Sequence, residues 1–98
     1  MTPEAKVKKA VKEVLTNLGA YFVMPVTGGF GNSGAPDFLV CLGGRFIGIE
    51  CKAKSYKMTD LQTMNGVRIL EAGGNFILAT DQNVKALSAI IIWSIFRD

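Results

Sequence analysis

Residues 38–52 constrain the fold more than any other stretch of the chain. Two β-rich runs, Phe38–Leu42 and Arg45–Lys52, flank Gly43-Gly44, a pair suited to the positive φ angles of a tight primed hairpin turn. A turn centred on those glycines sets the register, so that Leu42 meets Arg45, Val40 meets Ile47, and Asp37 meets Glu50. Side chains alternate across a strand. One face therefore carries Phe38, Val40, Leu42, Ile47, Ile49 and Cys51, all apolar, and belongs in a core. The opposite face carries Asp37, Leu39, Cys41, Phe46, Gly48, Glu50 and Lys52.

The elements around this hairpin follow from periodicity and breakers. Thr2 and Pro3 open a helix as cap and first-turn proline. Val7, Val11, Val14 and Leu18 then recur at helical spacing beside Ala10 and Leu15, until Gly19 ends the run. Residues 21–26 read as a short strand stopped at Pro25, and a loop with Gly28, Gly29, Gly31 and Gly34 comes next. Thr59 caps a second helix to about Ala72, Gly73-Gly74 stops it, and Asn75–Thr80 is a further strand. Asp81 can cap a last helix over residues 82–96, although the β-branched run Ile90-Ile91-Ile92 keeps a strand in play there. The order α-β-β-β-α-β-α gives one α/β domain over residues 1–98, a mixed sheet flanked by helices. A domain this small buries only about 60–65% of its unfolded surface, so leftover apolar area can call for a partner subunit.

Composition then excludes whole classes of chemistry. The chain has no histidine, which removes Ser-His-Asp and Cys-His hydrolases, histidine-bound zinc and histidine-metal nucleases. Any reaction has to come from carboxylates, lysines and amides. Cys41 and Cys51 are too few for a disulfide framework and lack metal-ligand spacing, so they read as small buried apolar residues in a reducing compartment. A net charge of +3, from 11 Lys and Arg against 8 Asp and Glu, is compatible with nucleic acid but weak alone. No signal peptide is visible, and the most apolar run, residues 89–93, is far too short for a bilayer. The expectation is an intracellular, cytoplasmic protein with no membrane partner.

The polar face of the hairpin sets two carboxylates, Asp37 and Glu50, opposite each other with Cβ atoms about 5 Å apart. Lys52 lies two residues further on the same face. Facing like charges destabilise a sheet unless a cation or a shared proton sits between them. Two hard oxygen donors at this spacing suit Mg²⁺ or Mn²⁺, while neutralisation by Lys52 alone, in a surface salt-bridge cluster, is the plainer alternative. Glu4 joins by helical phase, three residues before Val7 and seven before Val11, although a Glu at a helix start also serves the helix dipole. Gln62 has two competing explanations. It completes a capping box over Thr59-Asp60-Leu61-Gln62, and it shares a stripe with Asn65, Ile69 and Ala72 that can aim it at the sheet.

Pro36-Asp37, followed after twelve residues by Glu50-Cys51-Lys52, is a complete PD-(D/E)-x-K pattern on a strand hairpin. It resembles the PD-(D/E)XK nuclease superfamily with its restriction-endonuclease-like fold, and in detail the stand-alone VRR-NUC domains of phages and bacteria. Glu4, Gly34-Ala35-Pro36-Asp37 and Gln62 match that family's pattern in order, and the likeness runs from Glu4 to about Thr80. The apolar tail, residues 90–96, is not diagnostic of the family, and the expectation is a bare module without an accessory DNA-binding domain.

The resemblance implies a metal-dependent endodeoxyribonuclease. It implies that Asp37, Glu50 and the backbone carbonyl of Cys51 bind Mg²⁺ or Mn²⁺, with Glu4 contributing directly or through water. Lys52 would orient or deprotonate the attacking water, or stabilise charge on the phosphate, and Gln62 would position Lys52, the water or a DNA phosphate. Arg45, Lys54 and Lys57 are candidates for tracking the DNA backbone, or equally a solvated basic rim. A helix over residues 82–96 is apolar almost all round and has to be covered on every side, which favours a homodimer. Two symmetric active sites are what a four-way (Holliday) junction demands, so junction resolution is the expected activity. The alternatives are a nonspecific or flap DNA nuclease, and a non-catalytic DNA-binding or assembly module that retains the fold. The loop at residues 28–34 lacks the GxxxxGK pattern, which argues against an NTPase.

Overall fold

The structure, a computed structural model, describes residues 1–26, 34–54 and 56–96. The glycine-rich loop expected between the first two strands lies mostly outside the described residues. Helix α1 (Pro3–Asn17) starts where Thr2 accepts a hydrogen bond from the Ala5 N–H at 3.1 Å, with Pro3 in the first turn. Its apolar stripe Val7, Val11 and Leu15 is fully buried. Gly19, at φ 72°, turns the chain out of the helix.

Strands β1 (Tyr21–Val23), β2 (Phe38–Leu42), β3 (Arg45–Lys52) and β4 (Asn75–Thr80) form one sheet in the order β1-β2-β3-β4. β1 stops two residues short of Pro25, so the first strand is briefer than its sequence pattern. The β2–β3 hairpin has the expected register, from Leu42 opposite Arg45 to Phe38 opposite Ile49. Gly43 and Gly44 both have positive φ, at 61° and 74°, as a primed two-residue turn requires. β4 runs parallel to β3, and a parallel return needs a crossover. Helix α2 (Asp60–Glu71) supplies it.

Helices α1 and α3 (Leu87–Phe96) cover one face of this mixed sheet. Val7, Val11 and Leu15 from α1, and Leu87, Ile91 and Ile95 from α3, meet Phe38, Val40, Ile47, Ile49, Cys51, Ile77 and Ala79 in a single core. The apolar hairpin face is thus buried as its alternation requires. α2 lies against the opposite face, and its close approach there depends on glycines in both the strand and the helix. A Cβ on Gly48 would come within 2.7 Å of Ile69 and 3.1 Å of Pro36, and one on Gly66 within 3.1 Å of the Phe76 ring.

The C-terminal segment departs from a continuous helix over residues 82–96. Asp81 caps nothing; instead the Asn83 side chain accepts from the Thr80 N–H and donates to the Leu78 carbonyl, both at 2.8 Å. These bonds tie off the end of β4, a short 3₁₀ turn Val84–Ala86 follows, and α3 begins only at Leu87. The Ile90-Ile91-Ile92 run is helical. α3 buries one side only, leaving Trp93 67% and Phe96 72% exposed.

Candidate active site

Asp37 stands one residue before the β2 ladder, on a backbone held by close packing. Pro36 is buried, and Gly34 approaches Leu61 of α2 so closely that a Cβ would lie 2.6 Å from both its side chain and its carbonyl oxygen. The ladder between β2 and β3 ends at the pair Phe38–Ile49. Beyond that pair, Oδ2 of Asp37 accepts the Cys51 N–H at 2.8 Å. The carboxylate continues the hairpin in place of a backbone partner and comes to rest beside Glu50.

Among the described residues Glu50 is the one charged residue of the core, 2% exposed on an inner strand. Its Oε2 lies 3.8 Å from the Lys52 ammonium. Its Oε1 is buried with no hydrogen-bond partner among the described residues. Burial, followed by the charge of Asp37, pushes the Glu50 carboxyl up to about 7, against the opposing pull of Lys52. This is not a solvated salt-bridge cluster, because one oxygen carries its desolvation cost uncompensated.

Two lysines frame the carboxylates. Lys52, with a side chain only 12% exposed, also lies 4.0 Å from Oε1 of Glu4. Lys8 lies 3.3 Å from Oδ1 of Asp37 and 3.6 Å from Oε2 of Glu4. Burial pulls the Lys8 ammonium down, but Asp37, by charge and hydrogen bond, and then Glu4 outweigh it, holding its pKa above the ordinary range. Three carboxylates (Glu4, Asp37, Glu50) thus face two ammonium groups (Lys8, Lys52). Among the described residues no three Cys, Asp or Glu side chains converge as a ready ligand set. Asp37 and Glu50 form the close pair, and Glu4 is turned towards the lysines.

Cys51 separates its two chemistries by face. Its thiol points into the core, where burial and then the charges of Asp37 and Glu50 push its pKa up strongly, so it is an inert apolar group. Both cysteines are free. Gln62 forms the capping box: its Oε1 accepts the Thr59 N–H at 2.9 Å, and the Thr59 hydroxyl accepts the Gln62 N–H at 3.1 Å. Its carbonyl end is therefore committed to the helix start. Arg45 begins β3 and Lys52 ends it, seven residues and about 23 Å apart along the strand, so Arg45 belongs to the far rim. Lys54 and Lys57 are exposed just beyond the Lys52 end. Lys8 was missed from the sequence; its signal was the i, i+4 spacing from Glu4 on the flank of the Val7–Val11 stripe.

No family model and no curated protein matches the chain. A solved structure described as a VRR_NUC domain is similar to it over 89% of this chain and 95% of the other, at 29% identity and a TM-score of 0.71. The chain shares the fold of that VRR_NUC domain. The element order and the mixed sheet agree with the sequence expectation. In this VRR-NUC fold the Asp37–Glu50–Lys52 cluster lies at the C-terminal end of β3, with α1 lending Glu4 and Lys8. No helix among the described residues is long and apolar enough to cross a membrane.

Proposed function

We propose that this domain is a divalent-metal-dependent endodeoxyribonuclease that hydrolyses DNA phosphodiester bonds. The observation that carries the reading is Oε1 of Glu50, a buried carboxylate oxygen with no hydrogen-bond partner among the described residues, beside a second carboxylate and within reach of a lysine. A buried carboxylate oxygen without a hydrogen-bond partner is costly to ionise, and a hard cation is the partner that would offset that cost. The donors fit Mg²⁺ or Mn²⁺: Asp37, Glu50 and the backbone carbonyl of Cys51 would hold it, with Glu4 acting directly or through water.

When bound, such a cation supplies an acidified water and positive charge against the scissile phosphate. The remaining work falls to the chain's own residues. The Cys51 N–H fixes one oxygen of Asp37 and leaves the other facing the site. Lys52, anchored between Glu50 and Glu4, donates to the attacking water or to a phosphate oxygen as charge develops there. The amide nitrogen of Gln62 is the end that remains for substrate or water. Lys54 and Lys57 serve the DNA backbone at the rim, by charge alone.

A homodimer that resolves four-way junctions is the finer form of the proposal. Its support is the outer side of α3, where Ile92, Trp93 and Phe96 are 42%, 67% and 72% exposed; large apolar side chains grouped on one surface mark contact sites. A closed two-fold pair would present two active sites for two nicks. The test is incubation with a synthetic four-way junction, a flap and a plain duplex in Mg²⁺, Mn²⁺ or EDTA. Paired nicks in the junction with metal, and none in EDTA, are expected. No cleavage of any substrate with metal present would leave the rival, a DNA-binding or assembly module that kept the fold.

A further inference from the structure

We infer that Lys8 is the resident counter-ion of the acidic site and competes with the divalent cation for Asp37. The inference rests on the metal-dependent reading and deepens it, because Lys8 lies outside the PD-(D/E)-x-K pattern. Asp37 has two oxygens with different fates. Oδ2 is taken by the Cys51 N–H at 2.8 Å, so Oδ1 is the oxygen left for a cation, and Lys8 holds it at 3.3 Å. The same ammonium reaches Oε2 of Glu4 at 3.6 Å. Lys8 thereby links Asp37 to Glu4, a carboxylate that it shares with Lys52, which lies 4.0 Å from Glu4 and 3.8 Å from Glu50.

The two lysines differ in freedom. Lys52 is nearly enclosed, with 12% of its side chain exposed, and Lys8 has 36%. A flexible four-carbon stem on the flank of α1 can carry its ammonium into solvent, whereas Lys52 has little room to leave. A dication seated on Oδ1 would repel a nearby ammonium, so binding has to displace or weaken the Lys8 contact. Lys8 therefore holds the carboxylates in place without metal and sets the threshold for loading.

The test uses the whole chain without DNA. Mn²⁺ binding is measured by calorimetry, and thermal unfolding in EDTA and in Mn²⁺ by circular dichroism, for wild type, Lys8→Met, Lys8→Gln and Lys8→Arg. Lys8→Met and Lys8→Gln should bind Mn²⁺ about five- to thirtyfold more tightly, the effect of removing one partly exposed like charge near a dication. Both should melt lower than wild type in EDTA and gain more from Mn²⁺, while Lys8→Arg should stay near wild type. If wild type fails to bind Mn²⁺, the metal-dependent reading itself fails. Where wild type binds but the two neutral variants bind equally or more weakly, the counter-ion role is overturned and the reading survives. Failure of both neutral variants to fold also overturns it, because a partly exposed counter-ion does not govern folding.

Discussion

Glu50→Gln should make the metal-free protein more stable at neutral pH, and the gain should appear only as pH rises. Glu50 is raised from 4.5 to about 7 in the folded chain, first by burial and then by the charge of Asp37. Below pH 4.5 the group is neutral whether the chain is folded or unfolded, so it costs nothing. Between 4.5 and 7 the unfolded chain releases this proton while the folded chain keeps it, and native stability falls with each pH unit. Above about 7 the cost is complete. A shift of some 2.5 units at 1.36 kcal/mol each puts that cost on the order of 3 kcal/mol, a large share of the roughly 5–15 kcal/mol that holds a small domain folded. Gln has nearly the same shape and no charge to desolvate, so the variant escapes the cost. Urea unfolding of both proteins in EDTA, at steps from pH 4 to pH 8, gives the stability difference directly. EDTA is needed because a cation that binds only the native state adds stability of its own. The difference should grow in favour of Glu50→Gln by up to about 3 kcal/mol between pH 4.5 and 7 and then level off. A difference that is flat with pH, or that moves against the variant, would show that Glu50 is not a strained buried carboxylate.

Asp37→Asn keeps an acceptor for the Cys51 N–H but removes the charge facing Lys8, so it should abolish cleavage of every DNA substrate while changing stability by only about 1 kcal/mol; a nuclease assay beside a melting curve checks both halves. Gln62→Ala should lose the capping box and about 1 kcal/mol, while Gln62→Glu retains the box. Gln62→Glu should fold like wild type yet cut less, since it lacks the amide nitrogen; wild-type cutting would confine Gln62 to the helix cap. Trp93→Glu alters an exposed position on α3 and should leave monomer stability within about 0.5 kcal/mol while abolishing the dimer in light scattering at micromolar concentration. Dimers that persist in that variant would remove α3 from the interface.

The hairpin was legible because three local signals agree: two adjacent glycines, β-rich flanks and a strict alternation of apolar side chains. From these the face-to-face placement of Asp37 and Glu50 follows without any knowledge of the remaining chain. The burial of Glu50 does not follow. It arises because β3 is an inner strand, with Glu50 beside Leu78 of the parallel β4, and that pairing is made by a crossover whose geometry is not written in residues 38–52. The same strand would leave Glu50 solvated if it lay at a sheet edge, and the surface salt-bridge alternative would then hold. The end of the chain was misjudged for a different reason. Asn83 gives up any role as a side-chain helix cap to bond back onto β4, and the all-round apolar composition of residues 87–96 cannot say which side meets the core.

Lys8 shows what periodicity alone leaves out. Helical phase puts Val7, Val11 and Leu15 on one stripe and allows Lys8 to lie on its flank, but a flank has no meaning until the stripe is docked. α1 docks on the face of Ile49 and Cys51, at the end of β3 where Asp37 replaces the last backbone partner of the hairpin. That docking converts an ordinary i, i+4 pair, Glu4 with Lys8, into a bridge between two elements. Its value on an exposed helix would be about 0.3–0.5 kcal/mol. Here the bridge reaches a carboxylate whose neighbour, Glu50, has an oxygen with no hydrogen-bond partner among the described residues, so the charge of Lys8 acts on a site already short of positive charge. A substitution that looks conservative on the helix surface therefore has its main effect at the sheet, on how readily the carboxylates accept a cation.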